Sequence, residues 1–203
     1  MSPILVGIAG KLRSGKSTLA NKLAYNNNMQ VLSFATLVRK EVAKAFFPQH
    51  ADPLAQWMAL ESSNKAAVRP ILQAWGHGKR VLLMGDYWVN ELDKQARKQK
   101  CEVVFIDDVR YPNEVEYIVN NGGYIIRLRC DEKLLIERGT SKDALKHPSE
   151  NALNMDILTL AESMLPFHTM STDSGLLGPT ELQNLTTHWL LQNNVPLRST
   201  IDA

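Results

Sequence analysis

Apolar residues fall in short runs separated by longer stretches in which they recur every three or four positions. Runs at 4–9, 31–34, 103–107, 124–130 and 167–171 read as strands. They are short and lack strict alternation, as strands covered on both faces do. After Thr36, a candidate N-cap, the residues Leu37, Val38, Val42, Ala45 and Phe46 keep helical spacing. Segments at 17–25, 54–60, 66–75, 87–97, 114–120, 134–138 and 181–191 read as helices too. Strands alternating with helices predict an α/β fold, a five-stranded parallel sheet flanked by helices with right-handed crossovers. Between residues 47 and 99 no strand interrupts the helical pattern. That block is too long for a single crossover and reads as an inserted substrate-binding module. Asn120-Asn121-Gly122-Gly123 is a turn signal ahead of the fourth strand.

Composition narrows the class. A chain of 203 residues without repeats suits one domain, here a core with the insert and a short lid at about 139–149. The net charge of +2 sets up no broad field, so polymeric nucleic acid is not an expected partner. No run approaches the roughly 18 apolar residues of a membrane span, and none resembles a targeting segment. The two cysteines, Cys101 and Cys130, lack metal-type spacing and fit a reduced, cytoplasmic setting. The five histidines form no ligand cluster.

The candidate chemistry begins where the first strand ends. Gly10-Lys11-Leu12-Arg13-Ser14-Gly15-Lys16-Ser17 fits G-x-x-x-x-G-K-[ST], the phosphate-binding P-loop, between a strand and a helix as the motif requires. Glycines let backbone N–H groups turn inward, and the following helix adds its positive end. Lys16 is expected on the β- and γ-phosphates of ATP and the Ser17 hydroxyl on Mg²⁺. Gly10, Lys11, Arg13, Ser14 and Gly15 complete the cradle; Thr18, one place late, is a weaker candidate. The third strand runs into Asp107-Asp108, and one of these two acids is expected to support the metal.

Arginines supply the rest. Arg110 follows the third strand, at the sheet end where ligands of open α/β folds bind, and its planar fork suits phosphate. Pro112 and Glu114 suit the first turn of the next helix. Arg39 lies at the margin of an apolar helical face and is expected to hold a second phosphate-bearing substrate. Arg127, Arg129, Arg138, Lys142 and Lys146 cluster near the lid, with Arg138 the preferred cation for a loose transition state. Trp75 and Trp88 sit in aromatic-rich segments that can stack on a base or fill a core.

Together these motifs resemble the deoxynucleoside monophosphate kinases of bacteriophages. The resemblance is carried by the P-loop, Ser33-Phe34-Ala35 with Arg39-Lys40-Glu41-Val42-Ala43, and Arg69-Pro70-Ile71-Leu72-Gln73. Asp86-Tyr87-Trp88-Val89, Asp108-Val109-Arg110-Tyr111-Pro112-Asn113-Glu114 and His147-Pro148-Ser149-Glu150 continue it, covering about 5–155. It implies the P-loop nucleoside monophosphate kinase fold and ATP-dependent, Mg²⁺-assisted transfer to a deoxynucleoside monophosphate. It implies substrate-binding roles for Arg39, Arg69, Gln73, Trp75, Trp88, Asp108, Arg110, Asn113, Glu114, Ser149 and Glu150, with catalytic roles for Lys16, Arg39, Arg110 and Arg138. Many relatives carry Asp where Ser17 stands; serine restores the ordinary metal-binding hydroxyl. A phage origin would place the protein in the host cytoplasm, and a homodimer is left open. The competing readings are a kinase for another small acceptor, such as dephospho-coenzyme A, and a silent nucleotide-binding regulator.

Overall fold

The computed structural model describes residues 2–146, 148–153, 167–171 and 178–198. Five strands form one parallel sheet: β1 (Ile4–Gly10), β2 (Gln30–Leu32), β3 (Val103–Val109), β4 (Tyr124–Arg129) and β5 (Phe167–Ser171), in the spatial order β2-β3-β1-β4-β5. The expected five-stranded parallel α/β sheet is therefore present. The helices are α1 (Lys16–Asn27), α2 (Phe34–Phe46), α3 (Pro53–Ser63), α4 (Lys65–Leu82), α5 (Tyr87–Ala96), α6 (Pro112–Asn120), α7 (Glu132–Glu137), α8 (Lys142–Leu145), α9 (Pro148–Asn151) and α10 (Pro179–Gln192).

The chain divides into two compact units, one of residues 1–32 with 96–203 and one of residues 33–95. In the first, side chains alternate between the faces of the sheet, as the period of two dictates. Val6 and Ile8 of β1, Val103 and Phe105 of β3, and Ile126 and Leu128 of β4 share one face. Leu19 and Leu23 of α1 and Leu182 and Leu190 of α10 cover it. Gly7 points to the other face, where Ile118 of α6 packs so close that a Cβ would come within 2.6 Å of its Cδ1. Both faces being covered, the strands are continuous apolar runs.

The pairing of β1 with β3 breaks once. Gly7 pairs with Ile106 and Ala9 with Val109, so Ile8 alone opposes both Asp107 and Asp108. The strand expected to end at Asp107 thus continues to Val109 and carries a bulge at the acids. Bulges re-aim side chains where a regular ladder would fix them.

The helical unit begins earlier than the expected boundary at 47. Ser33 is the N-cap of α2, its Oγ accepting the Thr36 N–H at 3.3 Å. This corrects both the strand reading of 31–34 at Phe34 and the capping role given to Thr36. α2 packs against α3 and α4 and so belongs with them. Asp52 caps α3 by accepting the Ala55 N–H at 3.0 Å, with Pro53 in the first turn. Buried Trp57 meets the ring of Phe46 edge-on at 5.5 Å. No helix among the described residues is long and apolar enough to cross a membrane.

Candidate functional site

The loop between β1 and α1 holds the backbone conformations that an anion nest needs. Gly10 has φ 148° and Gly15 φ 98°. A Cβ on Gly10 would lie 2.6 Å from the Leu128 carbonyl oxygen, so β4 leaves room only for glycine there. Arg13 is left-handed at φ 61°, an uncommon state for a residue with a side chain. The end of α7 braces it. Arg138, the C-cap of α7, donates from Nη1 to the Arg13 carbonyl at 3.1 Å. The Arg13 guanidinium lies against Gly139, where a Cβ would come within 2.6 Å of it. Arg13, expected only as part of the cradle, is thereby the point at which the P-loop meets the segment expected to form a lid.

Lys16 is buried, and its ammonium donates to the Lys11 carbonyl at 2.7 Å. Burial, reinforced by Arg110, lowers its pKa to about 8 against the pull of Glu150, Asp108 and Asp107. The next side chain, Ser17, lies close enough to Asp107 to favour its charged form. Burial, with Asp108 beside it, raises the Asp107 pKa, while Ser17 and Lys16 oppose the rise. Asp107 Oδ1 is buried without a hydrogen-bond partner among the described residues. A hydroxyl, a carboxylate with an orphaned oxygen and a second acid are oxygen donors suited to Mg²⁺. The described residues contain no cluster of three His, Cys, Asp or Glu that could hold a metal by themselves. Asp107 is the acid whose charged form Ser17 favours, whereas the sequence left the pair open. Ser14 is buried inside the loop and Thr18 is exposed on α1.

Arg110 leaves β3 at a turn fixed by Glu114. The Glu114 carboxylate accepts the N–H of Arg110 at 2.7 Å and of Tyr111 at 3.1 Å, and it is 1 % exposed. A buried acid occupied in this way has no surface for a ligand. Its substrate-binding role is therefore corrected to one of positioning Arg110. Asn113 is half-buried at the start of α6. The Arg110 guanidinium pairs with Glu150, which also accepts the Leu12 N–H at 2.6 Å. Arg138 is exposed, and Lys146 pairs with Asp143 at 3.4 Å, a solvated contact of small energy. His147 and the side chain of Ser149 lie outside the described residues.

In the helical unit, Arg39 is held in a fork by Glu61, with Nε at 2.8 Å and Nη2 at 3.0 Å from the two carboxylate oxygens. The guanidinium keeps the Glu61 pKa below the ordinary carboxylate range. Glu41 accepts from Trp75 Nε1 at 3.0 Å, from the Tyr87 hydroxyl and from Lys79, which stands 3.3 Å away. Burial alone would raise its pKa; these donors lower it instead. Arg69 and Gln73 are half-buried one turn apart on α4. Trp88 is 1 % exposed and donates its indole N–H to Gly76 O at 2.9 Å. With no open face and its donor occupied, Trp88 belongs to the packing of this unit, which corrects its expected contact with substrate. Trp75 keeps a half-buried ring, oriented by Glu41. Sequence reading passed over Glu61, Glu41 as a collector of donors, and Trp57. Each is a lone acid or aromatic in a helix, and only its partners distinguish it.

A parallel sheet ordered β2-β3-β1-β4-β5, with a P-loop at the end of its central strand and paired acids on the neighbouring one, is the fold of P-loop kinases. Solved structures share it across nearly their full length. Shikimate kinase from Aquifex aeolicus vf5 is similar at 13 % identity, covering 94 % of this chain and 98 % of that one, with a TM-score of 0.51. Shikimate kinase from Acinetobacter baumannii, in complex with shikimate, is similar at 14 % identity, 96 % of both chains and TM-score 0.51. A gluconokinase from Sinorhizobium meliloti 1021 gives 12 % identity, 95 % and 94 % coverage and TM-score 0.50. At these identities the likeness is one of fold. The chain belongs to the AAA domain family AAA_18, whose model matches residues 6–152. No curated protein matches it in sequence.

Proposed function

We propose that the protein transfers the γ-phosphoryl group of ATP to a deoxynucleoside 5′-monophosphate. The observation that carries the reading is the group of charges at the end of β1 and β3. Lys16 and Arg110 bring two cations to the P-loop, and Ser17 and Asp107 bring oxygen donors suited to a metal. Such a site suits an acceptor that is itself an anionic nucleophile, because the work is then alignment and charge neutralisation rather than proton abstraction. Lys16 is the residue for the transferring phosphate, and Ser17 and Asp107 would hold Mg²⁺, which would supply charge withdrawal from the phosphate. Arg110 orients the acceptor phosphate. Arg39, preset by Glu61, and Arg138 enter the reading as the second acceptor ligand and the charge-stabilising cation. The acceptor class rests on the sequence strings around Arg69, Asp86 and Asp108, which resemble those of the phage enzymes.

The test is ADP formation from ATP and Mg²⁺ with each deoxynucleoside monophosphate in turn. Shikimate, gluconate and dephospho-coenzyme A serve as competing acceptors. Turnover with at least one monophosphate, and none with the three competitors, is expected. Turnover confined to a competitor would reassign the acceptor, and ATP binding without transfer to any would favour a regulatory protein.

A further inference from the structure

The P-loop is shaped to hold an anion, and one of the protein's own side chains already lies in it. Glu150 reaches in from α9, which Asn151 ties to α8 by donating to the Leu145 carbonyl at 3.0 Å. One carboxylate oxygen accepts the Leu12 N–H at 2.6 Å and the other meets the Arg110 guanidinium. The side chain is 2 % exposed. A carboxylate so far from water is costly unless its charge is matched. Its partners here belong to the candidate nucleotide site: a backbone amide of the loop, Arg110 and, at longer range, Lys16, whose charged form it favours.

A phosphate entering the loop needs those same donors. Two anions within a few ångströms, away from bulk water, repel strongly, so they cannot share the site at low cost. We propose that Glu150 is an internal stand-in for phosphate: it occupies the Leu12 amide and pairs with Arg110 until a polyphosphate displaces it and breaks both contacts. The proposal rests on the P-loop reading above and adds to it an internal anion that the donor must displace. While Glu150 is seated, only the fraction of molecules with an open loop binds the donor, and the apparent affinity falls by that fraction. A simple structural staple would behave in the opposite way, since removing its charge would loosen the loop and weaken anion binding.

The test is calorimetric titration of the full chain and of Glu150→Gln with inorganic tripolyphosphate. Glutamine keeps an oxygen for the Leu12 N–H but carries no charge to oppose the ligand. Binding to the variant is expected to be roughly tenfold tighter. In the unmodified protein, the carboxyl-carbon resonance of Glu150 is expected to move to that of a solvated glutamate as tripolyphosphate saturates. Equal or weaker binding by a folded variant, or an unmoved resonance at saturation, overturns the stand-in. The donor reading survives that outcome if ATP still competes with tripolyphosphate. No binding of tripolyphosphate or ATP by either protein overturns both. If the variant fails to fold, the resonance of the unmodified protein decides alone.

Discussion

Lys16 illustrates how one residue carries both chemistry and a measurable signature. Its pKa of about 8 comes from burial and from Arg110. A bound triphosphate must raise it, because the added negative charge favours the ammonium. Below about pH 8 the lysine is charged with or without ligand, and ATP affinity should be flat. Above it, binding must take up a proton, and affinity should fall by up to about tenfold per pH unit. Calorimetry in two buffers of different ionisation enthalpy at pH about 8 reads the proton directly; zero uptake would remove Lys16 from the phosphate. Lys16→Ala should lose turnover by orders of magnitude while melting as a folded protein, because its hydrogen bond to the Lys11 carbonyl is local to the loop. Retained turnover in a coupled ADP assay would defeat the mechanism.

Among the elements, α2 shows where local rules settle an outcome and where they do not. Its apolar spacing was legible, but its start was read three residues late. The competition lay between Ser33 and Thr36 as cap, and Ser33 won because Phe34 is buried as the first helical residue. Ser33→Ala should therefore destabilise the protein by about 1 kcal/mol, read from the urea midpoint at unchanged slope. Thr36→Ala, which removes no cap, serves as the control and should move it less. The bulge in β3 is the opposite case. Val103 to Val109 reads as a simple run ending in acids, and nothing in it announces that Ile8 faces two residues. Register is a property of the pair of strands, so one strand's sequence does not contain it. Glu114 was legible as a first-turn acid of α6, yet its grip on the Arg110 turn needed the fold.

Across the whole molecule, the sheet sets a gradient of stability. β1, β3 and β4 lie inside it with fully buried residues such as Val6, Phe105 and Ile126, while β2 and β5 form its edges. Hydrogen exchange should be slowest at the amides of those three strands and faster in β2, where only three residues pair. Equal protection in β2 would refute a core centred on the P-loop strand. The sequence alone determined the strand–helix alternation, the P-loop with Lys16 and Ser17, the acid pair and the arginines, because these depend on local spacing and residue chemistry. Only the tertiary structure set Asp107 near Ser17, took Trp88 into the packing of the helical unit and forked Arg39 onto Glu61. It alone also brought Glu150 onto Leu12 across most of the chain. Those outcomes turn on which distant segments meet and on how buried charges find partners, and a linear pattern of residues fixes neither.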